Sequence, residues 1–181
     1  MSEPVFTVGH STRSIEDFLA LLNAHAVKLL IDVRTVPRSR HNPQFNRDAL
    51  PGSLSQAGIE YLPMSELGGL RRPRKDSTNT GWRNLSFRGY ADYMRTPEFE
   101  KGLRRVLEEA KSRRVALMCA EAVPWRCHRS LIGDALEARG VPVFEIASLA
   151  KAQPHRMTPF AKVEGTTVTY PDQSTHALNL F

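Results

Sequence analysis

Nine residues in three stretches of the chain carry side chains suited to chemistry. His10 and Ser11 supply an imidazole and a hydroxyl, and the imidazole can serve as a general base, a metal ligand or a donor to an anion. Asp32 and Arg34 stand two apart, so an extended strand points both to one side. They can pair with each other. Alternatively, Arg34 can offer its planar fork to phosphate or carboxylate while Asp32 orients a neighbour. Arg38, Ser39 and Arg40 follow and enrich the same loop in donors. The densest group is Glu121 with Cys127, His128 and Arg129, where the last three are expected to open a helix. Free amides and the positive dipole end make a helix start attractive to anions. They also favour a thiolate, and Arg126, His128 and Arg129 act in the same direction. Cys127 is therefore the expected nucleophile, with His10, Glu121 or His128 moving protons. Ser11, Asp32, Arg34, Ser39 and Arg129 are the expected ligand-binding set. On this reading Arg34→Ala removes ligand-induced stabilisation without unfolding the chain.

The same atoms admit other uses. His10, Cys119, Glu121, Cys127 and His128 are types that ligate transition metals, but no ligand spacing is present: Cys119 and Cys127 are eight apart. A phosphatase-type Cys-x5-Arg loop is absent at Cys119, because Trp125 holds the arginine position. P-loop and Gly-x-Gly-x-x-Gly fingerprints are absent as well, and the sequence names no cofactor. Arg71 to Arg88 interleaves cations with Trp82 and Phe87, a pattern that could track phosphates and stack bases. A purely structural reading also fits: Cys119 in the core, Asp32 tied to Arg34, Cys127 buried, His128 capping, and Arg129 paired with Glu121.

These groups need a scaffold that brings them together. Val5–Gly9, Lys28–Val33 and Val115–Cys119 read as buried strands, with Val141–Ile146 as a further parallel one. Ser14 caps a helix bearing Ile15, Phe18, Leu19 and Leu22. Leu50 to Ala57 predicts a short helix stopped by Gly58, and Ile59–Leu62 a short strand. Tyr90–Met94 predicts another short helix, and Thr96-Pro97 starts a longer one. Cys127 to Arg139 predicts the last helix. Gly68 to Asn84 reads as a long surface loop, and Glu164-Gly165 as a hairpin turn. The expected fold is a small, open, mostly parallel α/β sheet with helices on both faces and a C-terminal β-hairpin. Residues 1–170 form one domain in this reading and 171–181 a loose tail. If the strands run parallel, His10, Asp32, Arg34 and Glu121 share one sheet edge, where open α/β sheets hold their ligands.

Composition narrows the function classes. A chain of 181 residues with 41% hydrophobic and 24% charged residues is an ordinary globular mix. No apolar run approaches the ~18 residues that cross a bilayer, and no secretory leader is evident at the start. The 2 cysteines exclude a disulfide scaffold, so a cytoplasmic setting without membrane contact is expected. A formal net charge of +6 favours an anionic partner, either a small ligand or nucleic acid. The oligomeric state is left open.

The ordered set Val8-Gly9-His10-Ser11, Asp32-Val33-Arg34 with Pro37 and Ser39, Leu67-Gly68-Gly69, and Cys119-Ala120-Glu121 with Cys127-His128-Arg129 resembles domain-of-unknown-function family 488. The resemblance spans Val5 to Tyr170. It implies a compact bacterial or archaeal cytosolic α/β domain, with His10, Ser11, Asp32, Arg34, Ser39, Glu121, Cys127, His128 and Arg129 as its motif residues. The family brings no settled activity. The expected function is thus a small-anion pocket, for phosphate or a nucleotide, with catalysis at the same edge. A His/Cys/Glu metal site and a nucleic-acid module on the 71–88 loop are the alternatives.

Overall fold

A computed structural model describes residues 3–174. Val5–Gly9 (β1), Leu29–Asp32 (β2), Glu60–Pro63 (β3), Val115–Cys119 (β4) and Val143–Ile146 (β5) pair in parallel. A two-residue strand, Gln153–Pro154 (β6), adds antiparallel to β5. The spatial order is β3-β2-β4-β1-β5-β6. Every residue of β1, β2 and β4 is buried, as central strands must be when helices cover both faces. The expected α/β architecture is the one found. The β6 pairing has no sequence signal, and its Pro154 is tolerated because it lies at the sheet edge.

Local chemistry sets the helix starts. Ile15–Ala24 (α1) begins where Ser14 Oγ accepts the Asp17 N–H at 3.1 Å. Leu50–Gln56 (α2) stops before Gly58, whose φ is +74°. Leu85–Tyr93 (α3) starts earlier than its apolar pattern predicts, because Asn84 Oδ1 accepts from the Ser86 and Phe87 amides. Pro97–Ala110 (α4) follows the Thr96 cap. Arg129–Glu137 (α5) starts two residues later than expected, with Cys127 extended and His128 at the cap position.

Phe18, Leu22, Leu50 and Leu54 of α1 and α2 pack on Phe6, Val8, Leu30 and Met118. Tyr90, Phe99, Leu103 and Leu131 of α3 to α5 pack on Ile31, Leu117 and Cys119 across the sheet. Each such fully buried side chain is worth roughly 1.5–3 kcal/mol. The chain leaves β1 through α1 on one face towards β2, and leaves the adjacent β4 through α5 on the other face towards β5. Helices diverging from neighbouring strand ends open a crevice between them.

The segment after β5 docks on this body. Asp134 of α5, fully buried, accepts from the Tyr170 hydroxyl at 2.7 Å, His155 Nε2 at 2.8 Å and the Thr158 amide at 3.1 Å. Lys162–Glu164 (β7) and Thr167–Thr169 (β8) form the hairpin, with Gly165 (φ +63°) and Thr166 in its turn, one residue later than expected. Of the expected tail, residues 175–181 lie outside the described residues. Among the described residues no helix is long and apolar enough to cross a membrane.

Candidate functional site

The sheet order puts the carboxyl ends of β2, β4 and β1 side by side, with Gly9 opposite Cys119 and Asp32 opposite Met118. Gly9 is dictated by crowding here. A Cβ on it would stand 1.7 Å from the Glu121 carbonyl oxygen and 2.7 Å from Arg129 Nη1.

Asp32 takes the Arg34 fork. Its oxygens accept from Arg34 Nε at 2.9 Å and Nη2 at 2.7 Å, and Tyr61 donates to it at 2.5 Å. Burial and the Asp32 carboxylate push the Tyr61 phenol up. Arg34 Nη2 also donates to the Phe45 carbonyl at 2.7 Å. Only Nη1 faces elsewhere, 3.4 Å from His10 Nε2. This corrects two expectations. The fork is not free for a ligand, and Arg34→Ala would strand a carboxylate that is 1% exposed, so it cannot be a neutral test of binding.

His10 stacks on Phe45 with centroids 4.3 Å apart and bonds the Ser11 carbonyl through Nδ1 at 2.8 Å. That bond makes Nδ1 the protonated nitrogen and leaves Nε2 as a lone pair. Burial lowers its pKa to about 4. The following Ser11 is held at φ +52°, a left-handed conformation uncommon outside glycine.

Arg129 is the largest fully buried side chain. Its Nη1 donates to Cys119 Sγ at 2.7 Å and to the Glu121 carbonyl at 2.6 Å. Its Nη2 meets the Ala122 carbonyl at 3.1 Å and the Glu145 carboxylate at 2.7 Å. Arg129 therefore binds the protein interior instead of a ligand, and its carboxylate partner is Glu145, not Glu121. Glu121 contributes a backbone carbonyl, and its exposed carboxylate orients no histidine among the described residues. A glutamate inside the otherwise apolar Val143–Ile146 run is the sequence signal that marks Glu145.

His128 Nε2 bonds the Val33 carbonyl at 2.8 Å, which leaves Nδ1 as a lone pair 3.6 Å from Cys127 Sγ. Burial lowers the His128 pKa to about 4. Gly69 passes so close that a Cβ there would be 2.9 Å from His128 Nδ1. Cys127 precedes the helix instead of lying in its first turn, and burial and the Cys119 thiol push its own thiol up. The activated thiolate expected at Cys127 is thus not what the surroundings favour. Cys119, expected to be inert core, is the thiol held below its ordinary value. Burial opposes this, but contact with Cys127 and the Arg129 charge outweigh it.

A cavity of about 680 Å³ opens over these strand ends. His10, Ser11, Arg34, Ser39, Glu121, Cys127 and His128 line it, together with Cys119, Arg38 and Arg126. Asp32 and Arg129 sit behind its wall. Ser39 is partly committed, since its Oγ accepts the Asn42 amide at 3.0 Å. Arg38 and Arg126 form no ion pair among the described residues, and each is exposed. Their signal in the sequence is adjacency: Arg38 to Ser39, Arg126 to Cys127.

The alternatives fare less well. Among the described residues no three His, Cys, Asp or Glu side chains converge to hold a metal ion. His10 Nε2 faces a guanidinium, and His128 Nε2 is taken by a carbonyl. In the 68–84 loop, Ser77 and Asn79 are anchored to Asp92 at 2.7 Å each. Trp82 packs inward on Phe87, Phe160 and Tyr170, 4.8–5.5 Å between centroids, so it offers no face for a base. Arg71 stacks on Tyr93 at 3.7 Å.

A family model described as domain of unknown function DUF488 matches residues 14–136. No curated protein and no solved structure matches the chain.

Proposed function

This chain belongs to the DUF488 family, and from that premise we propose that it binds a small anion, phosphate or a phosphorylated compound, in the cavity at the carboxyl edge of its sheet. The observation that supports the reading is the charge lining the cavity. Arg34 is neutralised by Asp32, whereas Arg38 and Arg126 form no ion pair and Glu121 is the only carboxylate residue lining the cavity among the described residues. Two unpaired guanidiniums against one carboxylate favour an anion, and a guanidinium fork matches phosphate geometry. Hydroxyls of Ser11 and Thr12 and the amide of Asn42 supply neutral donors. Val36 and Leu70, 60% and 75% exposed, line the same cavity, so the anion is expected to carry an organic portion. His10 and His128 are the groups that would move protons, each neutral with one nitrogen lone pair, that of His10 facing Arg34 Nη1 at 3.4 Å.

The test is thermal unfolding with inorganic phosphate, with a nucleoside monophosphate, and with chloride at equal ionic strength. Ligand at a hundredfold excess over Kd contributes about 2.7 kcal/mol, a rise in Tm of roughly 5–10 °C for a chain this size. Arg38→Ala and Arg126→Ala should each remove most of that rise while leaving the unliganded Tm unchanged, because both side chains are exposed. No phosphate-specific rise in the unsubstituted protein overturns the reading. A nucleic-acid reading retains only the exposed cations of the 71–88 loop. It would require binding that weakens steeply with salt and survives both substitutions.

A further inference from the structure

We propose that Cys119 and Cys127 form a redox couple that reduces a hydroperoxide entering the cavity and closes to a disulfide as it does so. This goes beyond anion binding and does not depend on it. Both thiols are free, and both line the cavity wall although they are only 2% and 5% exposed. One residue grips both sulfurs: Arg129 Nη1 donates to Cys119 Sγ at 2.7 Å, and the Arg129 backbone N–H donates to Cys127 Sγ at 3.5 Å. Each thiol shifts the other's titration, Cys127 lowering that of Cys119 and Cys119 raising that of Cys127.

The contacts divide the labour. Cys119 ends a fully buried strand and has a guanidinium on its sulfur, the arrangement that stabilises a thiolate nucleophile. Cys127 sits on irregular backbone between the Pro124–Arg126 turn and α5, so it can adjust without disturbing the sheet. His128 Nδ1 stands 3.6 Å from its sulfur, placed to take the thiol proton as the S–S bond forms.

The chemistry balances. The Cys119 thiolate attacks one peroxide oxygen: an S–O bond forms, the O–O bond breaks, and the leaving oxygen takes a proton to become water or an alcohol. Cys127 sulfur then attacks the sulfenic sulfur of Cys119. An S–S bond forms, the S–O bond breaks, and hydroxide leaves as water with the proton that His128 has taken from Cys127. The dithiol loses two electrons and the peroxide gains them. An added dithiol restores the pair by exchange.

The full-length protein is treated with a slight molar excess of hydrogen peroxide, then read by intact mass and thiol titration. The expected result is loss of the mass of two hydrogen atoms, disappearance of both thiols together, and full recovery with dithiothreitol. Cys127→Ser should stop at a sulfenic acid on Cys119 that a dimedone-type reagent traps. Cys119→Ser should leave Cys127 reduced. Gain of oxygen without a disulfide in the unsubstituted protein, inert thiols, or unslowed oxidation of Cys127 in Cys119→Ser would each overturn the proposal. The mass of the unsubstituted protein decides even where a serine variant folds poorly.

Discussion

Replacing Arg129 by methionine is expected to remove about 3–5 kcal/mol of stability, the range for breaking a buried ion pair from one side. That is a large share of the ~5–15 kcal/mol that holds a domain together. The guanidinium is 0% exposed and satisfies the Glu121 and Ala122 carbonyls, the Cys119 sulfur and the Glu145 carboxylate. Methionine fills the volume but offers none of those donors. Glu145, whose side chain is 12% exposed, would keep only Thr7 as a side-chain donor among the described residues. Burial already raises the Glu145 pKa against the pull of Arg129, so its carboxyl would neutralise further. Adding Glu145→Gln should restore part of the loss, because the two residues share one interaction. Urea unfolding of the single and double variants measures this. A loss below about 1 kcal/mol, the level of an exposed ion pair, would mean that Arg129 does not clamp β4, β5 and α5 together.

Stability should also fall as pH is lowered from about 6.5 towards 4. Burial is the main cause of the low His10 pKa, with Arg34 and Arg13 adding to it and Asp32 opposing. Burial likewise depresses His128, aided by Arg129 and Arg71. Both folded values lie near 4, below the ordinary 6.5. The unfolded chain therefore binds protons first as pH falls. The stability from keeping both rings neutral is complete above 6.5 and is lost on the way to 4. At about 1.4 kcal/mol per pH unit per group, the loss is on the order of 3 kcal/mol for each ring. Glu145 and Glu137, both raised by burial, act with the opposite sign at the acid end. Urea midpoints across this window should flatten in His10→Phe and flatten again in a His10→Phe, His128→Asn double variant. A pH-independent midpoint, or an unchanged slope in the double variant, would show that these rings are not the source.

The strands are legible because a buried parallel strand is mostly apolar: Val115–Cys119 wholly so, Val5–Gly9 interrupted only by Thr7, and Leu29–Asp32 up to its last residue. From those three ends the meeting of His10, Arg34 and Cys127 at one edge follows. Side-chain direction did not follow. Nothing local shows that Arg129 turns inward to Cys119 and Glu145, since that depends on which strands neighbour α5 in space. The Asp32–Arg34 pair was readable as an alternative, because residues two apart on a strand share a side. The α5 start differs from the expected one because Cys127 and His128 continue the helical pattern, while the backbone at Cys127 is extended. Trp82 reads as a stacking residue in the sequence because Phe160 and Tyr170, which pack on it, lie far along the chain.

The proposed anion site is the cavity lined by Arg38 and Arg126. Titrating isotopically labelled full-length protein with inorganic phosphate, and following the backbone amide resonances, tests it most directly. Saturable shifts at Ser11, Thr12, Ser39 and Cys127, lost in an Arg38→Ala, Arg126→Ala double variant, are the predicted result. Shifts confined to Arg72, Arg74 and Arg95, which line a separate pocket, or none that saturate, would contradict it.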